Sequence, residues 1–164
     1  MKLILLRHAL AVSKDAAACT FDAERQLDPQ GRRHAAAAAD FLRDRGLCPS
    51  RILSSPFRRS AETANALRDA LGGEVEAVTS LAPGAGLDDL FNAIGADLQT
   101  PATVAAVLHE PDVGHMLTAL LMPGDQPFPL SVYPGDVFAL HIECRDGQSR
   151  AVPFAFYSPM REGN

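Results

Sequence analysis

Short apolar runs alternate with longer amphipathic segments along this chain. Continuous apolar runs are typical of buried strands, whereas apolar residues that recur every three or four positions are typical of helices. The predicted strands are Leu3–Leu6, Arg51–Ser54, Glu74–Val78 and Thr103–Leu108, followed by a hairpin of Val137–Cys144 and Ser149–Phe156 over the turn Arg145-Asp146-Gly147. The predicted helices run from Pro29 to Gly46, from Phe57 to Leu71, from Leu87 to Leu98, and from an N-cap at Asp112 to about Met122.

This alternation predicts an α/β domain with a largely parallel sheet, and the closing hairpin adds antiparallel strands at one edge. A polar loop is expected between Ala11 and Asp28, and a loop rich in Pro and Gly over residues 124–136. The run Ala35–Ala39 is interpreted as a tightly packed helix face, because alanine is a strong helix former. With 164 residues, the chain suits one domain covering 1–164.

Composition narrows the possible partners. The formal net charge is −5 and no long Lys/Arg run is present, so we expect no nucleic-acid partner. No apolar stretch approaches the length of a membrane span, and the first apolar run is too short for a signal peptide. The three cysteines are widely spaced, which argues against a disulfide framework and a cysteine metal site. We therefore expect a cytoplasmic protein without membrane association.

Three predicted strands end in residues suited to phosphate chemistry. Arg7 and His8 follow the first strand, Arg59 opens the helix after the second, and His109 follows the apolar strand 103–108. The carboxyl ends of parallel strands lie at one edge of a sheet, which is where open α/β sheets bind ligands. These four residues are therefore expected to converge.

The residue types fit one kind of reaction. Arginine presents a planar, permanently charged fork that matches phosphate oxygens. A neutral imidazole carries a lone pair near pH 7 and can act as a nucleophile. Phosphoryl capture by His8, followed by release to water, divides hydrolysis into two easier steps. The arginines supply the stabilising charge, so neither a metal ion nor another cofactor is expected.

With these motifs in this order, the chain resembles the histidine phosphatase superfamily, which is the group of phosphoglycerate-mutase-like enzymes. Within that superfamily it is most similar to the small SixA-type phosphohistidine phosphatases. The matching positions are Arg7-His8, then Arg25, Leu27 and Gly31, then Ser55, Pro56, Arg59 and Thr63, then His109 and Pro111, and finally Ser158-Pro159. The resemblance implies a three-layer α/β/α sandwich with a central, mostly parallel sheet. It also implies a phosphorylated nucleophile at His8, phosphate binding by Arg7, Arg59 and His109, and a further contact from Arg25.

Two departures from the family pattern bear on the substrate. Ala9 stands where most relatives have glycine, and no general acid follows the third strand, where Asp88 and Asp89 are interpreted as helix N-terminal charges. SixA-type members also lack that acid, and a labile P–N bond does not require a strong one. The expected partner is a phosphorylated protein, such as a histidine phosphotransfer domain. The alternatives are a small phosphorylated metabolite as substrate, or a phosphate-binding module with little activity.

The remaining polar residues near these motifs are given simpler roles. Arg58 is interpreted as a solvated neighbour or helper of Arg59. Glu110 is interpreted as solvent-facing, with an approach to the site as the alternative. Two roles are open for Arg25, a contact with phosphate and a salt bridge within the loop. Structural roles are expected for the three histidines outside the motifs, His34, His115 and His141.

Overall fold

A computed structural model describes residues 1–15, 21–122, 130–145 and 148–160. The strands are β1 (Lys2–Arg7), β2 (Arg51–Ser54), β3 (Glu74–Ala77), β4 (Thr103–Leu108), β5 (Val137–Arg145) and β6 (Gln148–Tyr157). The helices are α1 (Pro29–Asp44), α2 (Arg58–Leu71), α3 (Leu87–Ile94) and α4 (Asp112–Leu121). None of these described helices combines the length and the apolar character that crossing a membrane requires.

The six strands form one sheet in the order β3-β2-β4-β1-β5-β6. The first four of these are mutually parallel, and β5 and β6 are antiparallel at one edge. The predicted α/β class with a mixed edge is therefore confirmed. The strands β2, β4 and β1 are neighbours, so their carboxyl ends lie side by side, as the strand-end motifs require.

Successive residues of the central strands point to opposite faces of the sheet. Leu3 and Leu5 of β1 pack in one apolar cluster with α3 and α4, whereas Ile4 and Leu6 pack in another with α1 and α2. All four leucine and isoleucine side chains are fully buried. The sheet is thus covered on both faces, which is the three-layer arrangement that was predicted.

Helix α1 packs closely against the chain that leaves β1. The Asp28 carboxylate caps the helix by accepting from the Gly31 backbone N–H at 2.6 Å, and the Asp28 N–H donates to the Leu10 carbonyl at 3.1 Å. A Cβ at Gly31 would overlap that same carbonyl, so only glycine fits. The alanines Ala35, Ala38 and Ala39 are buried, as expected for a packed helix face.

Two predicted helix limits are wrong. Helix α3 ends at Ile94 rather than Leu98, because Gly95 adopts a positive φ of 61° and a short 3-10 helix follows. Helix α4 takes Pro111 as its N-cap rather than Asp112. The Asp112 carboxylate instead accepts from the Gly84 backbone N–H at 2.9 Å and so anchors the loop before α3.

Some sequence expectations fall on residues outside the described ranges. They include residues 124–129 of the loop 124–136, the turn residues Asp146 and Gly147, and Cys19. Cys48 is an exposed free thiol.

Candidate active site

The site lies at the carboxyl ends of three neighbouring strands. His8 follows β1, Ser55 follows β2 and His109 follows β4. Arg59 reaches them from the first turn of α2. All four side chains belong to buried residues, so their mutual interactions are only weakly screened by water.

Arg59 connects the two histidines. Its Nε donates to Nε2 of His8 at 3.0 Å, and its terminal nitrogen NH2 donates to Nδ1 of His109 at 3.3 Å. The two imidazole rings are 5.2 Å apart between centroids. The structure therefore brings together three of the four residues assigned to phosphate chemistry in direct contact.

The His8 ring is held in one tautomer. Its Nδ1 lies 2.8 Å from the Ala9 carbonyl oxygen, which can only accept, so Nδ1 carries the proton. The lone pair is then on Nε2, the nitrogen that Arg59 faces. Burial, reinforced by the positive charge of Arg59, lowers the pKa of His8 to about 3. His8 is accordingly a neutral ring with a free electron pair at physiological pH.

His109 is held by side chains from the β2–α2 connection. Its Nε2 lies 2.7 Å from Oγ of Ser55 and 3.5 Å from Oγ of Ser60, and the Phe57 ring meets it edge-on at 5.1 Å. Burial, followed by the charge of Arg59, lowers the pKa of His109 to about 4. Its Nδ1 therefore presents a lone pair to the site, where a bound anion would favour its protonation.

Arg7, the fourth predicted residue, is partly buried and is held by a main-chain carbonyl. Its terminal nitrogen NH1 donates to the Val132 carbonyl at 2.7 Å. Burial lowers the pKa of the Arg7 guanidinium, and the charges of Glu110 and Asp136 oppose that effect. Its Nε is shielded from solvent and has no hydrogen-bond partner among the described residues. The Arg7 charge acts on both His8 and His109, which places the guanidinium near the histidine cluster.

Glu110 does not face solvent as the sequence suggested. The residue is only partly exposed, and its Oε2 is shielded from solvent without a hydrogen-bond partner in the described part of the chain. Among the neighbouring charges, that of Glu110 has the largest effect on the pKa of Arg7, and it raises that pKa. The prediction was wrong because the turn after β4 directs this side chain inward beside α4, where Oε1 approaches Gly114.

A carboxylate that the sequence reasoning missed lies over Arg59. Asp22, in a short 3-10 helix (Asp22–Glu24), places Oδ2 3.0 Å from NH2 of Arg59, and its backbone carbonyl accepts from NH1 at 2.8 Å. Arg25 holds the other oxygen, Oδ1, at 2.9 Å, and its Nε donates to the Val12 carbonyl at 2.7 Å. Arg25 thus makes the loop salt bridge, one of its two expected roles.

Thr63 links the strand end to helix α2. Its hydroxyl accepts from the Ala9 backbone N–H at 3.1 Å and donates to the Arg59 carbonyl at 2.8 Å. The Ala9 methyl packs in a small apolar cluster with Leu27 and Ala35. The residue that replaces the usual glycine is therefore accommodated by the core.

The remaining candidates lie away from the cluster. Arg58 is exposed and bonds to Glu62 at 2.8 Å and Gln26 at 2.9 Å, as expected of a solvated neighbour. Asp89 accepts from the Gly86 N–H at 2.8 Å at the start of α3, consistent with a helix N-terminal role. The histidines outside the motifs occupy α1, α4 and β5, at His34, His115 and His141.

The sequence matches the family model of the histidine phosphatase superfamily, branch 1, over residues 3–82. A search of the curated proteins gives no significant match.

Several solved structures are similar over nearly the whole chain. The protein histidine phosphatase SixA complexed with tungstate aligns with a TM-score of 0.83 at 21% identity, covering 99% of each chain. A proposed phosphohistidine phosphatase SixA from Agrobacterium tumefaciens aligns with a TM-score of 0.75 at 26% identity, covering 96% of this chain and 97% of that one. A mycobacterial glucosyl-3-phosphoglycerate phosphatase complexed with VO3 aligns with a TM-score of 0.67 at 20% identity, covering 94% and 97%.

Proposed function

Because the chain belongs to the histidine phosphatase superfamily and is a phosphatase of that type, we propose that it dephosphorylates phosphohistidine on a protein, with His8 as the nucleophile. The observation that carries the proposal is the buried contact between Nε2 of His8 and Arg59, beside His109. A neutral imidazole nitrogen next to a guanidinium fork is what phosphoryl capture requires.

In the first step, the Nε2 lone pair of His8 attacks phosphorus and forms a new N–P bond. The bond from phosphorus to the substrate nitrogen breaks, and its electron pair remains on the departing imidazole. In the second step, water attacks the same phosphorus, and the electron pair of the N–P bond returns to His8. The Nδ1–H bond to the Ala9 carbonyl keeps the ring oriented in both steps and stabilises its positively charged phosphorylated form.

The arginines and His109 stabilise the charge on the phosphoryl oxygens. In the resting site, Arg59 donates to the His8 nitrogen itself, so phosphorylation replaces this bond with bonds to phosphoryl oxygens. The positive charge of Arg7, which acts on both His8 and His109, adds to this stabilisation. Bound phosphate would raise the pKa of His109 and convert it from acceptor to donor. The charged groups are therefore close to the phosphoryl group, and the reaction exchanges their resting hydrogen bonds for bonds to its oxygens.

The choice of phosphohistidine is supported by the carboxylates after β3. The Asp89 carboxylate accepts a hydrogen bond from the Gly86 N–H at the start of α3, so its contact is with the helix N-terminus rather than with the histidine cluster. Similarity to two SixA structures agrees with this choice. The second candidate is a small phosphomonoester, which similarity to a glucosyl-3-phosphoglycerate phosphatase favours.

The test compares turnover of a phosphohistidine-bearing histidine phosphotransfer domain with turnover of a panel of sugar and nucleotide phosphates. We expect the phosphohistidine protein to be preferred, and His8→Ala to abolish its turnover. His141→Ala, on a strand away from the site, is the matched control. Arg59→Ala should lower kcat/KM by roughly 100-fold or more, whereas Arg58→Ala should leave it nearly unchanged. A preference for one of the small phosphates would support the second candidate instead.

A further inference from the structure

Asp22 is the anionic group on the solvent side of the Arg59 guanidinium. Its side chain is 32% exposed, whereas that of Arg59 is 7% exposed. Both oxygens of the carboxylate are engaged, Oδ2 with Arg59 and Oδ1 with Arg25, and Lys14 lies 3.8 Å away. Asp22 is therefore the more exposed partner of this ion pair, and it contacts the same Arg59 group that bonds to His8.

The surrounding cations keep Asp22 ionised. Burial alone would raise the pKa of the Asp22 carboxyl, but hydrogen bonds from Arg25 and Arg59 and their positive charges hold it below its usual value. At neutral pH the group therefore carries no proton to donate. It can act only as a hydrogen-bond acceptor and as a negative charge.

We propose that Asp22 selects phosphohistidine over phosphomonoesters by accepting a hydrogen bond from the protonated ring nitrogen of the departing imidazole. This inference rests on the proposed function and adds the residue that distinguishes the two substrate classes. Asp22 would be a catalytic residue, since it touches the leaving group.

The chemistry of the leaving group supplies the reason for this selectivity. Phosphohistidine carries its phosphoryl group on one ring nitrogen, and the other nitrogen can be protonated. When that second nitrogen holds a proton, breaking the P–N bond leaves a neutral imidazole, and no further proton is needed. Without that proton, the ring must leave as an imidazolate anion. A nearby carboxylate favours the protonated ring, just as an opposite charge favours any cation.

A phosphomonoester reverses this electrostatic preference. Its leaving oxygen gains negative charge as the P–O bond breaks, and an ionised carboxylate repels that charge. Such a substrate benefits from a protonated acid, which Asp22 cannot provide in its present surroundings. One carboxylate thus assists the first substrate and hinders the second.

The existing contacts also indicate how Asp22 becomes available. The phosphoryl group of a bound substrate, as it reaches Nε2 of His8, competes for the Arg59 NH2 group that now holds Oδ2. Losing that donor leaves Oδ2 free, while Arg25 continues to hold Oδ1 and the Asp22 carbonyl continues to accept from NH1 of Arg59. Arg59 contacts both this oxygen and Nε2 of His8.

The experiment measures kcat/KM of the native chain, Asp22→Asn and Glu24→Gln on two substrates. The substrates are the phosphohistidine form of a histidine phosphotransfer domain and p-nitrophenyl phosphate. Glu24 is the matched control, because it is an exposed carboxylate in the same 3-10 helix and loses the same charge. Melting temperatures of all three proteins report whether the fold is intact.

We expect Asp22→Asn to lower kcat/KM on phosphohistidine by roughly 10- to 100-fold, the value of one charge-assisted hydrogen bond. Activity on p-nitrophenyl phosphate should rise, because Arg59 loses a competing anion. Glu24→Gln should change neither activity. Asp22→Glu, which keeps the charge, should retain the preference for phosphohistidine.

Several results would overturn the inference. If kcat/KM of Asp22→Asn fell equally on both substrates, Asp22 would support the site in general. If kcat/KM rose equally on both, Asp22 would only compete with the substrate for Arg59. An unchanged preference in Asp22→Asn, or a lost preference in Asp22→Glu, would exclude selection by charge. A native chain that hydrolyses p-nitrophenyl phosphate but not the phosphohistidine protein would refute the proposed function itself, and the selection with it.

Discussion

Replacing Thr63 with valine tests how the fold positions the nucleophile. Thr63 is 1% exposed, and its hydroxyl joins the Ala9 N–H at 3.1 Å to the Arg59 carbonyl at 2.8 Å. Valine has nearly the same shape, so the substitution removes these two bonds without leaving a large cavity. Because Ala9 follows His8 and also accepts the His8 Nδ1–H bond, the change acts directly on the nucleophile.

The two lost bonds have different costs. The Arg59 carbonyl keeps its helical partner, the backbone N–H four residues later. Losing the bond from the Thr63 hydroxyl therefore costs this carbonyl little. The Ala9 N–H loses the partner that the structure gives it, and a buried unsatisfied donor costs roughly 1–3 kcal/mol. We expect the free energy of unfolding to fall by about 2 kcal/mol. For a chain of 164 residues this corresponds to a melting temperature lower by about 4–8 °C.

Activity should fall as well, because misplacing a nucleophile slightly is expensive in rate. We expect kcat/KM on p-nitrophenyl phosphate to drop roughly tenfold or more, measured well below the melting temperature. Thr63→Ser is the matched control, since it keeps both bonds and loses only a methyl group. Thr118→Val measures the cost to the fold of losing a similar pair of bonds in α4, to Gly114 and Leu130. If the valine and serine variants of Thr63 had equal kcat/KM, the positioning argument would be refuted.

Two further predictions concern stability. The free energy of unfolding should fall by on the order of 4 kcal/mol between pH 7 and pH 5, about 2 kcal/mol from each site histidine, because both bind protons near pH 6.5 when unfolded but only near pH 3 to 4 when folded. Urea denaturation across this range measures the effect, and a flat profile would contradict it. Gly31→Ala should destabilise the protein by roughly 2 kcal/mol or more despite alanine's better helix propensity, because its methyl meets the Leu10 carbonyl. At Gly86 an added methyl group would meet only a side-chain oxygen, at 3.7 Å, so Gly86→Ala should cost much less stability. Equal losses of stability in the two variants would show that the contact with Leu10 is unimportant.

The sequence by itself determined the main architecture. The apolar runs of β1 and β4 are buried on both faces of the sheet, and such strands require helices on both sides. Parallel strands align their carboxyl ends, so the residues after β1, β2 and β4 had to lie at one edge. This is why the contact of Arg59 with His8 and His109 was predictable over separations of about fifty residues.

Sequence reasoning failed where the position of a side chain depends on irregular segments. The loop that carries Asp22 has no periodicity, so nothing in its pattern revealed that its carboxylate would lie 3.0 Å from Arg59. The Val132 carbonyl that binds Arg7 belongs to another such segment. Glu110 was misjudged because a charged residue after a strand is usually solvated, and only the packing of α4 turns it inward.

The same division holds for the chemistry of the site. The types and order of Arg7, His8, Arg59 and His109 were sufficient to predict phosphoryl transfer, because few residues can neutralise a phosphate and attack it. Only the tertiary structure decided which nitrogen of His8 bears the lone pair and how far its pKa falls. Tautomer and pKa depend on distances of a few ångströms and on burial, and both arise when distant segments pack together.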